Sequence, residues 1–425
     1  MLSRRVVQNG ILFLAGWWSL SHAAVLTVSN NQGQGVCANA VYTTISAALF
    51  ASASGDEIDI CPGLYPEQLV ITQPVTLRGL STSGSQRVLL QPATITNVQP
   101  PLYAQQNVAP FQAAISVIGT GNVTIENLAI NASGNTATGC TVTVAAIHFS
   151  NASGTVANNA IFGAQLSSPL SCTTLFPGNG FGVQVDSAAG QTGPFSVSIT
   201  GNSIHDFNRN GVLVSGSGIT TEVSGNTISG VGPSTGYNQF GVFIANGAVA
   251  YVSHNMITEG NCGTLSVTAC VPLRSEGVVF RAAGPASVVD SNFIASAQSG
   301  IFLNGANQAQ ISNNIIMNID ALDGIDIQGS ASGYFTNSVI LGNTISHVFP
   351  ISSTAGEGLQ GMGSCGINEA QGTGVAQNLI LNNTVNDAYC GVAFVTADQA
   401  SANTFSNTLY GTVNANLTFP PAVEP

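Results

Sequence analysis

The chain contains no lysine and little charge of either sign. Charged residues make up 6% of its 425 residues, and its seven basic residues, all arginine, stand against nineteen acids. The formal net charge of −12 makes nucleic acid, heparin and anionic lipid poor partners. Low charge does not imply disorder here, because disordered chains are also poor in hydrophobic residues, which reach 44% in this sequence.

A membrane-spanning segment is also lacking. The marked apolar run GILFLAGWW follows Arg4 and Arg5 and precedes the small residues Ser21 and Ala23, a pattern typical of a secretory signal cleaved near Ala23. The run is well short of the ~20 residues that a bilayer requires. We therefore expect a signal peptide over 1–23 and a secreted protein, extracellular or periplasmic, with no membrane contact after cleavage.

Zinc-type cysteine pairs are absent, because no C-x-x-C spacing occurs. The eight cysteines are even in number, which in a secreted chain favours four disulfides. Connectivity does not follow from sequence. Pairing of neighbours in sequence order is the working expectation: Cys37 with Cys61, Cys140 with Cys172, Cys262 with Cys270 and Cys365 with Cys390.

Two short phrases recur along the chain. The first is asparagine, any residue, then an aliphatic or aromatic residue, at Asn202, Asn226, Asn255, Asn292, Asn314, Asn343 and Asn383. The second is a small residue followed by alternating apolar residues, as in GVLV and GIFL. Alternation with period two indicates strands, and no 3.6-residue periodicity of helical repeats is visible. A repeat of about 22 to 24 residues with two or three short strands is typical of one coil of a parallel β-helix.

The coil geometry explains the asparagines. Stacked coils lie ~4.8 Å apart, so identical residues at one turn form a ladder whose amides bond from coil to coil. We therefore expect these asparagines to be architectural and the alternating aliphatic residues to fill the core.

A solenoid needs its ends covered. The segment TTISAALFASASG offers a threonine cap, the apolar face Ile45, Ala48 and Leu49, and Gly55 as a stop, which predicts a short N-terminal capping helix. We expect one β-helix domain over 24–410 and a proline-rich C-terminal tail over 411–425.

The stretch ISAALFASASGDEIDICPGLYPEQLVI, followed by repeats of GNxI and GVxV, resembles the right-handed parallel β-helix proteins of the pectin-lyase-like superfamily. This resemblance implies an all-β fold, a right-handed parallel β-helix solenoid. Its motifs are scaffold motifs, so they imply the fold strongly and the function weakly.

One stretch resembles a catalytic element of that superfamily. DGIDI is similar to the polygalacturonase element N-T-D-G-x-D, with Asp323 and Asp326 in the acidic places. The adjacent Asp-Asp pair, the Gly-His-Gly and the Arg-Ile-Lys of polygalacturonases are missing, and the pectate lyase, pectin methylesterase and alginate epimerase elements are not found. The chain is therefore an enzyme or a binding protein on this evidence, and both alternatives stay open.

Strand geometry predicts where a site would lie. If the residue after each repeat glycine points inward, the residues two and four beyond it point outward and form columns along one face. Polar and aromatic groups then converge on a few coils. The candidate catalytic residues are Glu276, Arg281, Asp323 and Asp326, and the candidate substrate-binding residues are Phe243, Phe302, Asn304 and Gln328. The structural alternative is that Arg281 pairs with Glu276 and that the insertion before Gly277 covers the phenylalanines.

These residues favour a protein that acts on or binds a polysaccharide or cell-surface glycan. Two carboxylates suit glycoside hydrolysis. Calcium is an open alternative ligand of the aspartates. A strongly anionic polyuronate would be repelled by this chain unless calcium bridges the two, so a glycoside hydrolase is slightly favoured over a polysaccharide lyase. The alternative is a non-catalytic surface, adhesion or structural protein, whereas the signal segment disfavours a phage spike. The sequence leaves the oligomeric state open.

Overall fold

The computed structural model describes residues 23–31, 35–80, 87–99, 111–137, 142–166, 180–188, 190–191, 193–230, 232, 238–260, 274–320, 322–328, 335–349, 364–369, 375–394 and 398–414. Its helices are a 3-10 helix, Gly35–Asn39, and α1, Ile45–Ala51. Its first strands are β1 Val25–Val28, β2 Glu57–Ile60, β3 Gly63–Tyr65, β4 Leu69–Ile71, β5 Thr76–Gly79, β6 Val88–Leu90, β7 Asn97–Val98, β8 Phe111–Ile118, β9 Val123–Glu126, β10 Ala129–Asn131, β11 Thr143–Ser150, β12 Gly154–Ala157, β13 Ala160–Phe162, β14 Gly180–Asp186, β15 Phe195–Thr200, β16 Ser203–His205, β17 Asn210–Ser215, β18 Ile219–Ser224, β19 Thr227–Ser229 and β20 Gln239–Ala245.

The later strands are β21 Val249–Ser253, β22 Met256–Thr258, β23 Ser275–Arg281, β24 Val288–Asp290, β25 Phe293–Ala295, β26 Ser299–Asn304, β27 Gln310–Ser312, β28 Ile315–Asp320, β29 Ile325–Gln328, β30 Phe335–Thr336, β31 Val339–Leu341, β32 Thr344–Phe349, β33 Cys365–Glu369, β34 Val375–Ala376, β35 Leu379–Leu381, β36 Thr384–Phe394, β37 Gln399–Ser401 and β38 Thr404–Asn414.

The strands stack into three parallel faces, which confirms a parallel β-helix. The first face is a sheet of thirteen strands that begins with β1 and ends with β37. The second face stacks the short strands from β10 through β19 and β22 to β32, and the third face stacks the longer strands from β8 through β17, β20, β23, β26 and β29 to β33. One coil therefore contains one strand of each face, as in β18, β19 and β20. Among the described strands, β7 and β8 form an antiparallel pair.

The inward residues form a continuous core of isoleucine and valine. The repeat glycines face that core, where a side chain would collide with the second face. A Cβ on Gly211 would lie 2.5 Å from Ile228 Cγ2 and 2.8 Å from the carbonyl oxygen of Gly241. The same crowding occurs at Gly277 and Gly300. The small residue of the second phrase is thus a steric requirement of the coil.

The asparagine ladder is confirmed. The amide Nδ2 and the backbone N–H of Asn255 both donate to Oδ1 of Asn292, at 2.9 and 3.0 Å, and Nδ2 also donates to the carbonyl of Val223 at 2.8 Å. The pattern repeats along Asn159, Asn202, Asn226, Asn255, Asn292, Asn314, Asn343, Asn383 and Asn403. The first eight are buried, so each satisfies backbone groups that a turn would otherwise leave without partners.

One coil was not recognised in the sequence. The strand β33 carries Glu369 at an inward position that other coils fill with an apolar residue, so the alternating pattern is broken there. Glu369 is fully buried and its Oε1 accepts a hydrogen bond of 2.7 Å from Asn378 Nδ2. Because the pattern search depended on apolar alternation, it passed over the residues that follow Cys365.

The N-terminal helix forms where it is predicted. Thr44 caps α1 by accepting the backbone N–H of Ala47 at 3.2 Å, and Ile45 and Ala48 are buried. The helix ends at Ala51, earlier than expected, and Gly55 lies in the following turn with φ of 94°. The helix contacts β1, β2 and β4. That it closes the end of the solenoid stays a prediction.

Two of the four expected disulfides, Cys37–Cys61 and Cys365–Cys390, are present. The other two pairs, like residues 1–22, fall outside the described residues. The final strand β38 pairs with β36 as far as Asn414, four residues past the predicted boundary at 410. Among the described residues no helix is long and apolar enough to cross a membrane.

Replacing one rung of the asparagine ladder should destabilise the fold. In Asn255→Ala, the backbone groups of two neighbouring coils lose buried partners, so we expect the free energy of unfolding to fall by about 3 kcal/mol. Urea denaturation measures this loss. The matched control Asn39→Ala replaces an exposed asparagine of the 3-10 helix and should change stability by less than about 0.5 kcal/mol. Equal effects of the two substitutions would contradict the role of the ladder.

Candidate functional site

The outward side chains of the third face lie in three columns, because its strands pair in step from coil to coil. The inner column, just before the repeat glycine, contains Phe240, Glu276, Ser299, Asp323, Cys365 and Cys390. The middle column, two residues after it, contains Leu213, Phe243, Val279, Phe302, Asp326 and Asn368. The outer column, four residues after it, contains Ala245, Arg281, Asn304 and Gln328. All eight predicted site residues therefore share this face.

Asp323 and Asp326 lie on either side of the bend at Gly324, Asp323 just before strand β29 and Asp326 within it. Both are buried, with 8% and 3% of their surface exposed. Asp323 Oδ1 accepts the backbone N–H of Cys365 at 2.6 Å, and its Oδ2 accepts Nδ2 of Asn368 at 2.9 Å. Asp326 Oδ2 accepts Nε2 of Gln328 at 3.0 Å, whereas its Oδ1 is buried without a partner. The two carboxyl groups thus differ sharply in their hydrogen bonding.

The environment raises the pKa of both aspartates. Burial raises the pKa of Asp323 to about 6, against the lowering effect of the hydrogen bonds from Cys365 and Asn368. Burial and then the negative charges of Asp323 and Glu276 raise the pKa of Asp326 well above its ordinary value. Two carboxylates in one desolvated site do not both ionise readily, so the charge of Asp323 adds to the effect of burial on the pKa of Asp326.

Glu276 lies in the same column as Asp323, two coils earlier. It is buried, and burial raises its pKa to about 7, although the positive charges of Arg274 and Arg281 act in the opposite direction. Two coil spacings put the Cα atoms of Glu276 and Asp323 about 10 Å apart. Three carboxyl groups with raised pKa values therefore lie on one face, on two coils that are separated by a single coil.

Arginine, the basic residue that replaces lysine throughout this chain, is concentrated at this cluster. The charge of Arg274 acts on Glu276, Asp323 and Asp326. Arg209 lies close enough to Arg281 for its pKa to be lowered by that charge, after a larger effect of burial. Neither Arg274 nor Arg209 was among the predicted site residues. The scarcity of basic residues was the available signal, since three of the seven arginines meet here.

Phe243 and Phe302, the aromatic residues predicted to bind substrate, are largely buried. Phe243 is 7% exposed and packs in an outward cluster with Phe240 and Val279, and Phe302 packs against that cluster while half-buried. The rings of Phe240 and Phe243 are 5.2 Å apart between centroids. Asn304, Gln328 and Arg281 are half-buried beside it.

A second polar cluster occupies the same columns nearer the N-terminus. His148 Nε2 and Asp186 Oδ2 lie 2.9 Å apart, and Gln184 Nε2 donates to the same oxygen at 2.6 Å. The ring of Phe111 lies over His148 with centroids 4.1 Å apart. His148 pairs in register with Gln184, so Asp186 lies diagonally opposite it on the next coil.

A calcium ion does not fit the residues present. Both oxygens of Asp323 already accept hydrogen bonds from protein groups, and the pKa of Asp326 is raised, which opposes the ionised form that a metal ligand needs. Among the described residues, no group of three or more histidine, cysteine, aspartate or glutamate side chains is arranged to hold a metal ion.

Comparison with known proteins places this chain among β-helix proteins. A family model described as a right handed beta helix region matches residues 181–368. The Dettilon tailspike protein gp208 is similar in structure, with 13% identity, 91% of this chain and 68% of that chain covered, and a TM-score of 0.51. A family 28 exopolygalacturonase of Yersinia enterocolitica has 11% identity over 94% of this chain and 79% of that chain, with a TM-score of 0.47. A GH136 lacto-N-biosidase of Eubacterium ramulus has 10% identity over 92% and 67%, with a TM-score of 0.48.

No curated protein matches the sequence. At such low identities the structural likeness concerns the fold alone. It agrees with the parallel faces, the glycine column and the asparagine ladder. Residues 181–368 therefore match a right-handed β-helix family, and the described strands form a parallel β-helix.

Proposed function

We propose that this protein is a secreted glycoside hydrolase that cleaves a polysaccharide on the third face of its solenoid. The single observation that carries the proposal is the cluster of Glu276, Asp323 and Asp326, three buried carboxyl groups with raised pKa values on two coils of one face that are separated by a single coil. A polysaccharide suits the extended face of a solenoid, and glycan-acting enzymes are the class that the sequence resembles. The two disulfides fit an oxidising compartment outside the cytoplasm.

The cluster supplies both protonation states that glycoside hydrolysis needs. A general acid must hold a proton near neutral pH, and a general base must be ionised there. Burial favours the neutral form of Asp326 and Glu276, whereas two hydrogen bonds to Asp323 favour its ionised form. One protonated and one ionised carboxyl group on facing sides of a sugar can protonate the leaving oxygen and activate water.

The spacing of the coils leaves room for an inverting reaction. The general acid and base of inverting glycosidases are separated widely enough to admit a water molecule between their carboxyl groups. Glu276 and Asp323 stand two coils apart in one column, with Cα atoms about 10 Å apart, so a water molecule fits between coils that carry them. We assign Glu276 and Asp326 as candidate proton donors and Asp323 as the candidate base, with Arg281, Asn304, Gln328, Phe243 and Phe302 beside the sugar-binding path.

One observation favours a non-catalytic alternative. All three carboxyl groups are nearly inaccessible, and Asp323 bonds the backbone N–H of Cys365, as a structural aspartate would. In that case the protein binds a glycan or serves adhesion, and the acid cluster holds three coils together. Turnover by the purified protein separates the two functions.

A product screen tests the proposal directly. The mature protein is incubated with neutral and uronic polysaccharides, with and without calcium, and products are identified by mass spectrometry. We expect saturated oligosaccharides from the parent protein and at least a 100-fold loss of rate in Asp326→Asn or Glu276→Gln. Glu222→Gln, an exposed carboxylate on the first face, serves as the matched control with full activity. Unsaturated ends would identify a lyase, and no product from any glycan would favour the non-catalytic alternative.

The raised pKa values also predict how stability depends on pH. A carboxyl group whose pKa is raised by folding binds its proton more tightly in the native state, so its contribution is present below pH 4.5 and is lost as pH rises through the native pKa. For Glu276 this window runs from about 4.5 to about 7. We expect the parent protein to lose up to about 3 kcal/mol from this group across the window.

Urea denaturation at pH 5 and pH 8 measures this effect. Glu276→Gln removes the titrating group, so the loss of stability between the two pH values should be smaller than in the parent protein. Glu222→Gln should leave the parent dependence unchanged. An identical pH dependence of Glu276→Gln and the parent protein would show that Glu276 is solvated and ordinary.

A further inference from the structure

Two buried acceptor atoms near the acid cluster have no hydrogen-bond partner. They are Oδ1 of Asp326 and Oδ1 of Asn368. Asp326 on β29 and Asn368 on β33 are partners in register, so their Cα atoms lie about 4.8 Å apart and their side chains leave the sheet on the same side. A buried acceptor without a donor costs about 1–3 kcal/mol, so two such atoms on paired residues require an explanation.

A single proton on the carboxyl group of Asp326 would give both oxygens a hydrogen bond, with Asp326 as the donor and Asn368 as the acceptor. Two oxygens cannot bond each other unless one carries hydrogen, and the oxygen of an amide does not. A protonated carboxyl group has one O–H donor. The proton must lie on Oδ1 of Asp326, because Oδ2 of that residue already accepts Nε2 of Gln328.

The other end of the same amide bonds the second aspartate. Nδ2 of Asn368 donates to Oδ2 of Asp323 at 2.9 Å, and the backbone N–H of Cys365 donates to Oδ1. Both donors favour the ionised form of Asp323. Cys365 is in turn joined to Cys390, so the strand that supplies both donors is covalently tied to the next coil.

We propose that Asn368 is a positioning residue that divides one proton unequally between two aspartates, by accepting the O–H of a neutral Asp326 and donating to the carboxylate of Asp323. Its importance for catalysis rests on the function proposed above, but the hydrogen bonds do not. The amide thereby makes Asp326 the proton donor and Asp323 the base. Without it, nothing in the identical side chains would assign the two roles.

Carbon-13 NMR of the free protein tests whether Asp326 holds its proton more tightly than Asp323. The chain contains ten aspartates, so selective labelling of aspartate carboxyl carbons gives few signals, and Asp323→Asn and Asp326→Asn assign the two that matter. A pH titration of the parent protein should show that Asp326 loses its proton at a higher pH than Asp323. Ionisation of Asp326 at or below the pH at which Asp323 ionises would overturn the proposal.

Asn368→Ala removes both bonds at once. We expect the pKa of Asp326 to fall and that of Asp323 to rise, so that the gap between them narrows by about one pH unit or more. Asn368→Gln, which keeps both ends of the amide, should restore part of the gap. Asn39→Ala is the control and should leave both signals unchanged. The same gap in Asn368→Ala and in the parent protein would refute the role of Asn368.

A second measurement covers the case in which Asn368→Ala does not fold. Isotope-edited infrared spectra of the parent protein, recorded above the pH at which Asp323 titrates, should contain the carbonyl band of a protonated aspartate that disappears in Asp326→Asn and persists in Asp323→Asn. Disappearance in Asp323→Asn alone would reverse the assignment and overturn the proposal. Because both experiments use the free protein, they stand whatever the product screen finds.

Discussion

The structure depends on coils that stack in register, and two buried columns enforce that register. Each asparagine of the ladder bonds the next coil through its side chain, so a slip of one residue would leave several buried amides without partners. The glycines act by sterics, since a Cβ at Gly300 would lie 2.5 Å from Ile316 Cγ2. Together, the asparagines and glycines hold equivalent residues of successive coils in register. The apolar contacts of the core are less specific, because a similar side chain could replace one isoleucine contact with another.

The register has a direct consequence for chemistry. Residues far apart in sequence meet on the third face because they hold the same place in consecutive coils. Asp323 and Asn368 are 45 residues apart, yet they share a hydrogen bond. Two adjacent columns therefore bring Glu276, Asp323 and Asp326 onto one desolvated face, where burial outweighs the nearby arginines and raises the pKa values of the carboxyl groups.

Much of the scaffold could be predicted from the sequence, because every coil requires the same residue types at the same positions and the sequence therefore repeats. The ladder asparagines, the helix cap at Thr44 and two disulfides were anticipated, and the outward columns followed from the spacing around the repeat glycines. The burial of Phe243 could not be predicted, since it depends on packing against Phe240 and Val279. Asn368 was missed for a definite reason: the buried Glu369 beside it breaks the apolar alternation by which coils are recognised.

The protonation of the acid cluster is the central claim, and neutron diffraction from a deuterated crystal near neutral pH tests it most directly. The account predicts deuterium on Oδ1 of Asp326, pointing at Asn368, and none on Asp323. Deuterium on Asp323 with a bare Asp326, or none on either aspartate, would contradict both the assignment of roles and the explanation of the two buried acceptors.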